Sequence, residues 1–318
     1  MAASTGSPRV VRTDRLGAAD VRDVLAIANA AGDTDGAFPL SEHVMLHVRQ
    51  GGEAPAVHLM IRDPDGSLAG YAHVDTTDEV EGPSAELVVH PLRRRRGLGR
   101  ALVGAALEAA READPRNRLR LWAHGDHPSA GALALGMGFE RSRVLWQMRR
   151  SLYAPVPELR MPAGTSLRTF RPGVDDEAWV QVNNRAFADH PDQGRWTLDD
   201  LRVRMSEPWF DPAGFLLAVD PAGRILGFHW TKVHGGRRAG EGGHQHDPIG
   251  EVYVLGVDPD AHGLGLGTTL TVAGLRYLRS RDLDQAMLYV DESNQAAIRL
   301  YSRLGFARWT TDVSYRHW

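Results

Sequence analysis

The stretch Glu251-Val-Tyr-Val-Leu-Gly-Val-Asp-Pro259-Asp-Ala-His-Gly-Leu-Gly265-Leu-Gly267 reads as a strand ending at a proline, a glycine-rich turn, and the start of a helix running on through Arg279. Such a turn leaves several backbone N–H groups unpaired at the positive end of a helix dipole, which makes it an anion site. Glycine permits the close backbone approach and positive φ that the turn requires. No Gly-Lys-Ser/Thr follows, so a Walker NTPase loop is excluded, and the third glycine of the dinucleotide pattern Gly-x-Gly-x-x-Gly is missing.

The same stretch occurs earlier as Ala85-Glu-Leu-Val-Val-His-Pro91-Leu-Arg-Arg-Arg-Arg-Gly97-Leu-Gly99, leading into an Ala/Leu-rich helix through Ala110. The offset is 259 − 91 = 168 at the prolines and 265 − 97 = 168 at the glycines, and Gly138-Phe139 recurs as Gly305-Phe306 at 167. Upstream, Asp63-Pro-Asp-Gly66 with Gly70-Tyr71 matches Asp220-Pro-Ala-Gly223 with Gly227-Phe228 at 157, so 168 − 157 = 11 residues are inserted. They fall in His234 to Pro248, which reads as a hairpin-loop insertion. An internal repeat of this size predicts two copies of one unit. The expected fold is α+β, two tandem domains each with a central mixed sheet flanked by helices. The domains span 1–152 and 165–318, joined by a linker at 153–164 in which Pro155, Pro157 and Pro162 disfavour helix. Each copy opens with an amphipathic helix (Ala18 to Ala31, Asp175 to Ala188). Alternating strands follow around Val57–Ile61 and Gly70–Val74, or Phe215–Val219 and Gly227–Val233. The last strand is Leu119–Ala123 or Ala286–Val290, with a final helix ending near Gly138 or Gly305.

Length agrees with two domains, the chain having 318 residues. No apolar run approaches the ~18–20 residues of a membrane span, and Met1 to Arg9 carries no apolar segment behind a basic start. The expectation is a soluble cytoplasmic protein. Zero cysteines exclude disulfides and thiolate metal sites, and a net charge of −3 gives no global field for nucleic acid. His244 and His246 lie among glycines with no third ligand at workable spacing, so they read as a surface loop, and no metal is expected. Of 37 basic residues, one, Lys232, is lysine and 36 are arginine.

Strand–Val-x-Pro-x-x-Arg/Gln-x-x-Gly-x-Gly–helix, followed by Asn294-Gln-Ala-Ala297-Ile-Arg-Leu-Tyr301-Ser-Arg-Leu-Gly305-Phe306, resembles the GCN5-related N-acetyltransferases (GNAT), whose pyrophosphate-binding turn holds acetyl-CoA. The resemblance covers roughly residues 10–150 and 165–316. It implies acetyl-CoA as co-substrate. In the second copy the implied contacts are Leu255, Gly256, Val257, the turn His262, Gly263, Leu264, Gly265, Leu266, Gly267 and Thr268, and the helix start Asn294, Gln295, Ala296, Ala297, Ile298 and Arg299. In the first copy they are Leu87, Val88, Val89, Arg94, Arg95, Arg96, Gly97, Leu98 and Gly99. The run Arg93–Arg96 has two other readings, a nucleic-acid patch or a solvated turn; beside Gly97-Leu-Gly99 it fits the phosphates of CoA. His262 departs from the family's Arg or Gln.

Acetylation requires a neutral amine, so a carboxylate must remove a proton from the ammonium and an acid must meet the departing thiolate. Glu251, at the start of its strand, is the candidate base, with an edge-strand charge as the alternative reading. Tyr301 stands where the family places its general acid, with core packing as the alternative. Glu251 maps by 168 to Pro83 and Tyr301 by 167 to Ala134, so the first copy lacks both groups and is expected to be non-catalytic. The segments Asn183 to Trp196, Trp209-Phe-Asp-Pro, Gly227 to His234 and Leu121-Trp-Ala-His-Gly125 resemble the mycothiol synthase branch of that family. The acceptor this implies is a small-molecule amine, the cysteinyl-glucosaminyl-inositol. An acceptor with hydroxyls and an ammonium calls for carboxylates and a cation, which Asp192 and Lys232 supply, with Trp196 and Trp230 covering sugar faces; the resemblance adds Glu42 from the first domain, and Glu251 and Tyr289 complete the substrate-binding set. The other reading of Asp192 is a helix N-terminus or loop charge, and that of Glu42 a solvated helix face. Acetylation of another amine, such as an aminoglycoside or peptide, and a non-catalytic acyl-CoA-binding sensor remain alternatives. A nucleic-acid or membrane partner is not expected, and the chain is read as a monomer.

Overall fold

The computed structural model describes residues 8–50, 56–78, 82–188, 196–234 and 248–318. In chain order the elements of the first half are β1 (Val11–Thr13), α1 (Ala18–Asp35), α2 (Glu42–Gln50), β2 (Ala56–Arg62), β3 (Leu68–Asp75), β4 (Ser84–Val89), α3 (Leu98–Ala113), β5 (Leu119–Ala123), α4 (Pro128–Leu135) and β6 (Glu140–Ser151). The second half contains β7 (Ser166–Thr169), α5 (Asp176–Ala186), α6 (Leu198–Met205), β8 (Phe215–Val219), β9 (Ile225–His234), β10 (Ile249–Val257), α7 (Leu266–Ser280), β11 (Gln285–Asp291), α8 (Gln295–Arg303) and β12 (Ala307–His317).

Two compact units result, and their boundaries are not those of the repeat. The first comprises residues 1–145 together with 310–318, the second residues 146–309. Thus the segment expected as a linker belongs with the second unit, and the last residues of the chain belong with the first. Both differences come from strands that the sequence reading did not place. β6 and β12 follow Gly138-Phe139 and Gly305-Phe306, where the reading had ended each copy at a helix. They were hidden because each opens on exposed residues, Glu140, Arg141 and Ser142 in one and Ala307, Arg308 and Trp309 in the other, and not on the apolar run that marks a buried strand.

In the first unit the sheet order is β1-β2-β3-β4-β5-β12. All pairs are antiparallel except β4/β5, which run parallel through Ser84↔Arg120, Ala85↔Leu121 and Glu86↔Trp122. One face packs on α3 and α4 through Leu102, Val103, Ala106 and Phe139, the other on α1 and α2 through Val24, Ile27, Val44 and Val48. In the second unit β7-β8-β9-β10 are antiparallel neighbours, β11 joins β10 in parallel, and β6 follows β11. Here α7 and α8 cover one face through Leu275, Leu278, Ile298 and Leu304. On the other face α5 and α6 enclose an aromatic core of Trp179, Phe215, Phe228 and Trp230.

Candidate active site

β10 and β11 of the second unit pair only at Gly250↔Ala286 and Glu251↔Met287. Immediately beyond, β10 carries a bulge: Val252 faces Thr231 and Val254 faces Trp230, leaving Tyr253 as the extra residue. A bulge bends its strand and ends local pairing. Leu255, Gly256 and Val257 therefore lie past the end of the β10/β11 ladder, on the run to the glycine turn. Gly256 cannot be otherwise, since a Cβ there would lie 2.7 Å from the Phe228 ring.

The turn is a 3-10 segment, Pro259–Ala261, capped by Asp258, followed by Gly263 (φ +85°) and Gly265 (φ +79°) in the left-handed region. Gly265 is the N-cap of α7 and supplies no side-chain acceptor, and nothing lies within 4 Å of a Cβ built on Gly263 or Gly265. The first N–H groups of α7, at Leu266, Gly267 and Thr268, have no carbonyl one turn back to bond, and the two glycines put no side chain beside them, which is the chemistry a pyrophosphate needs. Arg185 of α5 bonds Asp258 (3.1 Å) and Asp260 (2.7 Å) and braces the turn from one side. His262, the departure from the family motif, sits with Nε2 3.2 Å from the Val257 carbonyl. Its counterpart 168 residues earlier, Arg94, donates from Nε to the carbonyl of Val89 at 3.2 Å. The two side chains thus tie back to equivalent carbonyls, and the substitution leaves the turn intact.

The first unit repeats the turn with Gly97 (φ +80°) as N-cap of α3, while Arg95 (φ +64°) occupies the left-handed position of Gly263. Its arginines are less available than the sequence reading had it. Arg94 sets its guanidinium on Asp35 with two 2.7 Å bonds, and Arg93 pairs with Asp63. That corrects the assignment of Arg94 to phosphate, because a fork bonded to a carboxylate is neutralised. Arg95, Arg96 and Gly97 are exposed; Val88 and Leu98 are core.

Glu251 is buried on β10, directly across the β9/β10 ladder from Lys232. Its Oε2 is 2.5 Å from His234 Nε2, a partner the sequence reading missed. Alternation along β9 offered the signal, since His234 lies two residues from Lys232 and so on the same face. The Lys232 ammonium, also buried, lies 4.6 Å from the Trp209 ring centroid and 5.3 Å from that of Tyr253. The expectation that Trp196 and Trp230 cover a ligand is overturned. Trp230 is fully buried and stacked on Phe215 at 4.4 Å, and Trp196 is buried beneath the Arg204 guanidinium at 4.0 Å.

Tyr301 projects from α8 into the α7/α8 face, against Phe306, and burial pushes its phenol up to about 12. It therefore carries its proton throughout the neutral range. Asn294 is the N-cap of α8, its side chain accepting from the Ala297 N–H at 3.0 Å, and Ile298 is core. The equivalent His127 caps α4 by accepting from Ser129, so this position is structural in both copies. Tyr289 on β11 is 45% exposed, with its oxygen accepting from Gln147 Nε2 at 2.8 Å. Asp192 and the inserted loop with His244 and His246 lie outside the described residues, as does the side chain of Glu42 at the start of α2.

The acetyltransferase (GNAT) family model matches residues 28–139 and 177–306. The chain belongs to the GNAT acetyltransferase family. A protein of Salinispora arenicola named mycothiol acetyltransferase is 60% identical over 98% of this chain and 97% of its own. Among solved structures, a GCN5-related N-acetyltransferase from Sphaerobacter thermophilus is 27% identical with a TM-score of 0.70, covering 97% of this chain and 95% of that one. A tandem GNAT protein from the clavulanic acid pathway shares the fold at 22% identity, TM-score 0.72, covering 97% and 98%. No helix among the described residues is long and apolar enough to cross a membrane.

Proposed function

We propose that this GNAT protein transfers the acetyl group of acetyl-CoA to the cysteinyl amine of a cysteinyl-glucosaminyl-inositol, the reaction implied by the name its relatives carry, and that the second unit performs it. The observation carrying the assignment to that unit is its retention of Glu251 and Tyr301, where the first unit has Pro83 and a buried Ala134. Acetyl-CoA supplies an activated thioester. The N–H groups at the start of α7 hold its phosphates, with Gly263 and Gly265 leaving room for them. Backbone N–H near Val257, past the β10/β11 ladder, polarises the thioester carbonyl. Glu251 takes the proton of the acceptor ammonium, with His234 Nε2–H donating to its carboxylate and holding it in place. Tyr301, protonated at neutral pH, donates to the departing thiolate. Lys232 and Tyr289 bind acceptor hydroxyls from the Glu251 face. Transfer is direct, since a chain without cysteine lacks the best covalent acetyl carrier.

The test is thiol release from acetyl-CoA in the presence of the conjugate, of aminoglycosides and of peptide amines. Glu251→Ala and Tyr301→Phe should each lower kcat by roughly 10²–10³ while acetyl-CoA binding is retained. Turnover like the parent protein's in both variants sinks the acid–base assignment, and preference for another amine sinks the acceptor.

A further inference from the structure

We infer that Trp209 and Tyr253 are positioning residues of the second unit: their rings form a two-walled aromatic corner that sets the Lys232 ammonium in place for the acceptor. This rests on the proposed role of Lys232 and goes beyond it by naming what places the cation and why the position is lysine in a chain of arginines. The ammonium lies 4.6 Å from the Trp209 ring centroid and 5.3 Å from that of Tyr253, and the two rings meet at 5.1 Å with their planes 67° apart. An aromatic face is the negative side of a quadrupole and attracts a cation. A compact ammonium meets two such walls at once, whereas a planar guanidinium stacks on one. That geometry accounts for the one lysine among 37 basic residues.

Each wall is held by contacts of its own. Tyr253 is the extra residue of the β10 bulge, and a bulge re-aims the side chain it carries. Its ring packs on Trp230 at 5.4 Å, and its hydroxyl accepts from Arg204 Nε at 3.0 Å. Trp209 lies between α6 and β8, on a segment tied down at two points. Asp211 accepts from the Tyr277 hydroxyl of α7 at 2.5 Å, and the Gly214 carbonyl accepts from Thr231, the chain neighbour of Lys232, at 2.8 Å. The first unit has no such corner. The position 157 residues before Lys232 is Asp75 (232 − 157 = 75), and the β3/β4 ladder runs from Asp75↔Ser84 to Gly70↔Val89 without a shift, so no bulge residue answers Tyr253. The corner belongs to the unit that keeps Glu251 and Tyr301.

Because Lys232 is the only lysine, its side-chain NMR resonance needs no assignment. In the parent protein carrying isotope-labelled lysine, the ε-methylene protons should lie upfield of free lysine, shifted by the two rings, and Trp209→Leu should move them back towards the free value. The same variant should raise the KM for the sugar–inositol conjugate by roughly 3–10-fold, the span of one partly buried cation–π contact. The KM for acetyl-CoA and for cysteine amide, which has no hydroxyl, should move less than twofold. Trp209→Phe, which keeps a ring face, should restore most of the loss, and with Lys232→Met already in place Trp209→Leu should add nothing. Tyr253→Leu repeats the test on the other wall if Trp209→Leu does not fold. A lysine resonance at the free value in the parent protein, or the same rise in conjugate KM from Trp209→Leu with and without the ammonium, overturns the inference. Failure of the parent protein to acetylate the conjugate at all overturns the proposed function instead, and the lysine resonance then decides the corner by itself.

Discussion

Two buried histidines titrate in opposite directions for reasons visible in their neighbours. His229 on β9 has no exposed surface, and burial lowers its pKa to about 4 despite a 2.7 Å contact from Nδ1 to the Leu270 carbonyl. Since a carbonyl only accepts, Nδ1 carries the hydrogen and the ring is neutral. His124, after β5, is also disfavoured as a cation by burial, but a hydrogen bond to Asp312 (3.0 Å) and the Glu86 carboxylate 3.4 Å from its other ring nitrogen outweigh this and raise its pKa to about 10. Between pH 6.5 and 4 the unfolded chain binds a proton at His229 that the folded one refuses, so stability falls with pH across that window. For His124 the folded state holds the extra proton, so its contribution is present below pH 6.5 and is lost as pH rises towards 10. Urea midpoints should therefore fall on both sides. His229→Leu should flatten the acid side and His124→Gln the alkaline side, each by on the order of 1–3 kcal/mol. Unchanged limbs in these variants would refute the assignments.

Among the elements, α7 shows where local propensity and packing disagree. Gly274 sits in the middle of this helix, where alanine would be favoured by about 1 kcal/mol. A Cβ at 274, however, would stand 2.0 Å from His229 Cε1 and 2.2 Å from its Nδ1. The helix needs glycine there to lie close on β9. Gly274→Ala is accordingly expected to destabilise by about 1–3 kcal/mol through overpacking, read as a lower urea midpoint; equal or higher stability would show that His229 can move aside. Legibility followed the same divide. α1 and α3 were readable because each carries an apolar stripe, α7 from the glycine turn that opens it, and β3, β8 and β9 because near-continuous burial gives an unbroken apolar run between turn residues. α2 and α6 escaped notice because they are short, nine and eight residues. β6 and β12 escaped because each opens on exposed residues, and with β6 went Gln147, the partner of Tyr289.

At the scale of the whole molecule, the unit of folding is not the unit of repetition. β12 pairs with β5 from Val313↔Ala123 to His317↔Leu119, burying Val313 and Tyr315 in the core of the first unit. Asp312 on the same strand accepts from the Gly125 N–H at 2.8 Å and holds His124. Removing residues 310–318 should thus damage the first unit, although these residues come from the second copy. Losing two core side chains and a strand edge costs more than about 4 kcal/mol. Hydrogen exchange should report lost protection in Leu119–Ala123; retained protection there would contradict the assignment. From the sequence alone came the duplicated unit, the glycine turn at each helix start, and the asymmetry of Glu251 and Tyr301 against Pro83 and Ala134. These are local patterns, set by backbone conformation and by which residue types can move a proton, and they survive any arrangement of the rest. Only the tertiary structure decided that His234 holds Glu251, that Trp209 and Tyr253 rather than Trp196 and Trp230 flank Lys232, that Arg94 is neutralised by Asp35, and which strands complete each sheet. Those depend on residues distant in sequence meeting in space; spacing along a strand assigns a side chain to a face but does not fix which side chain of another element meets it there.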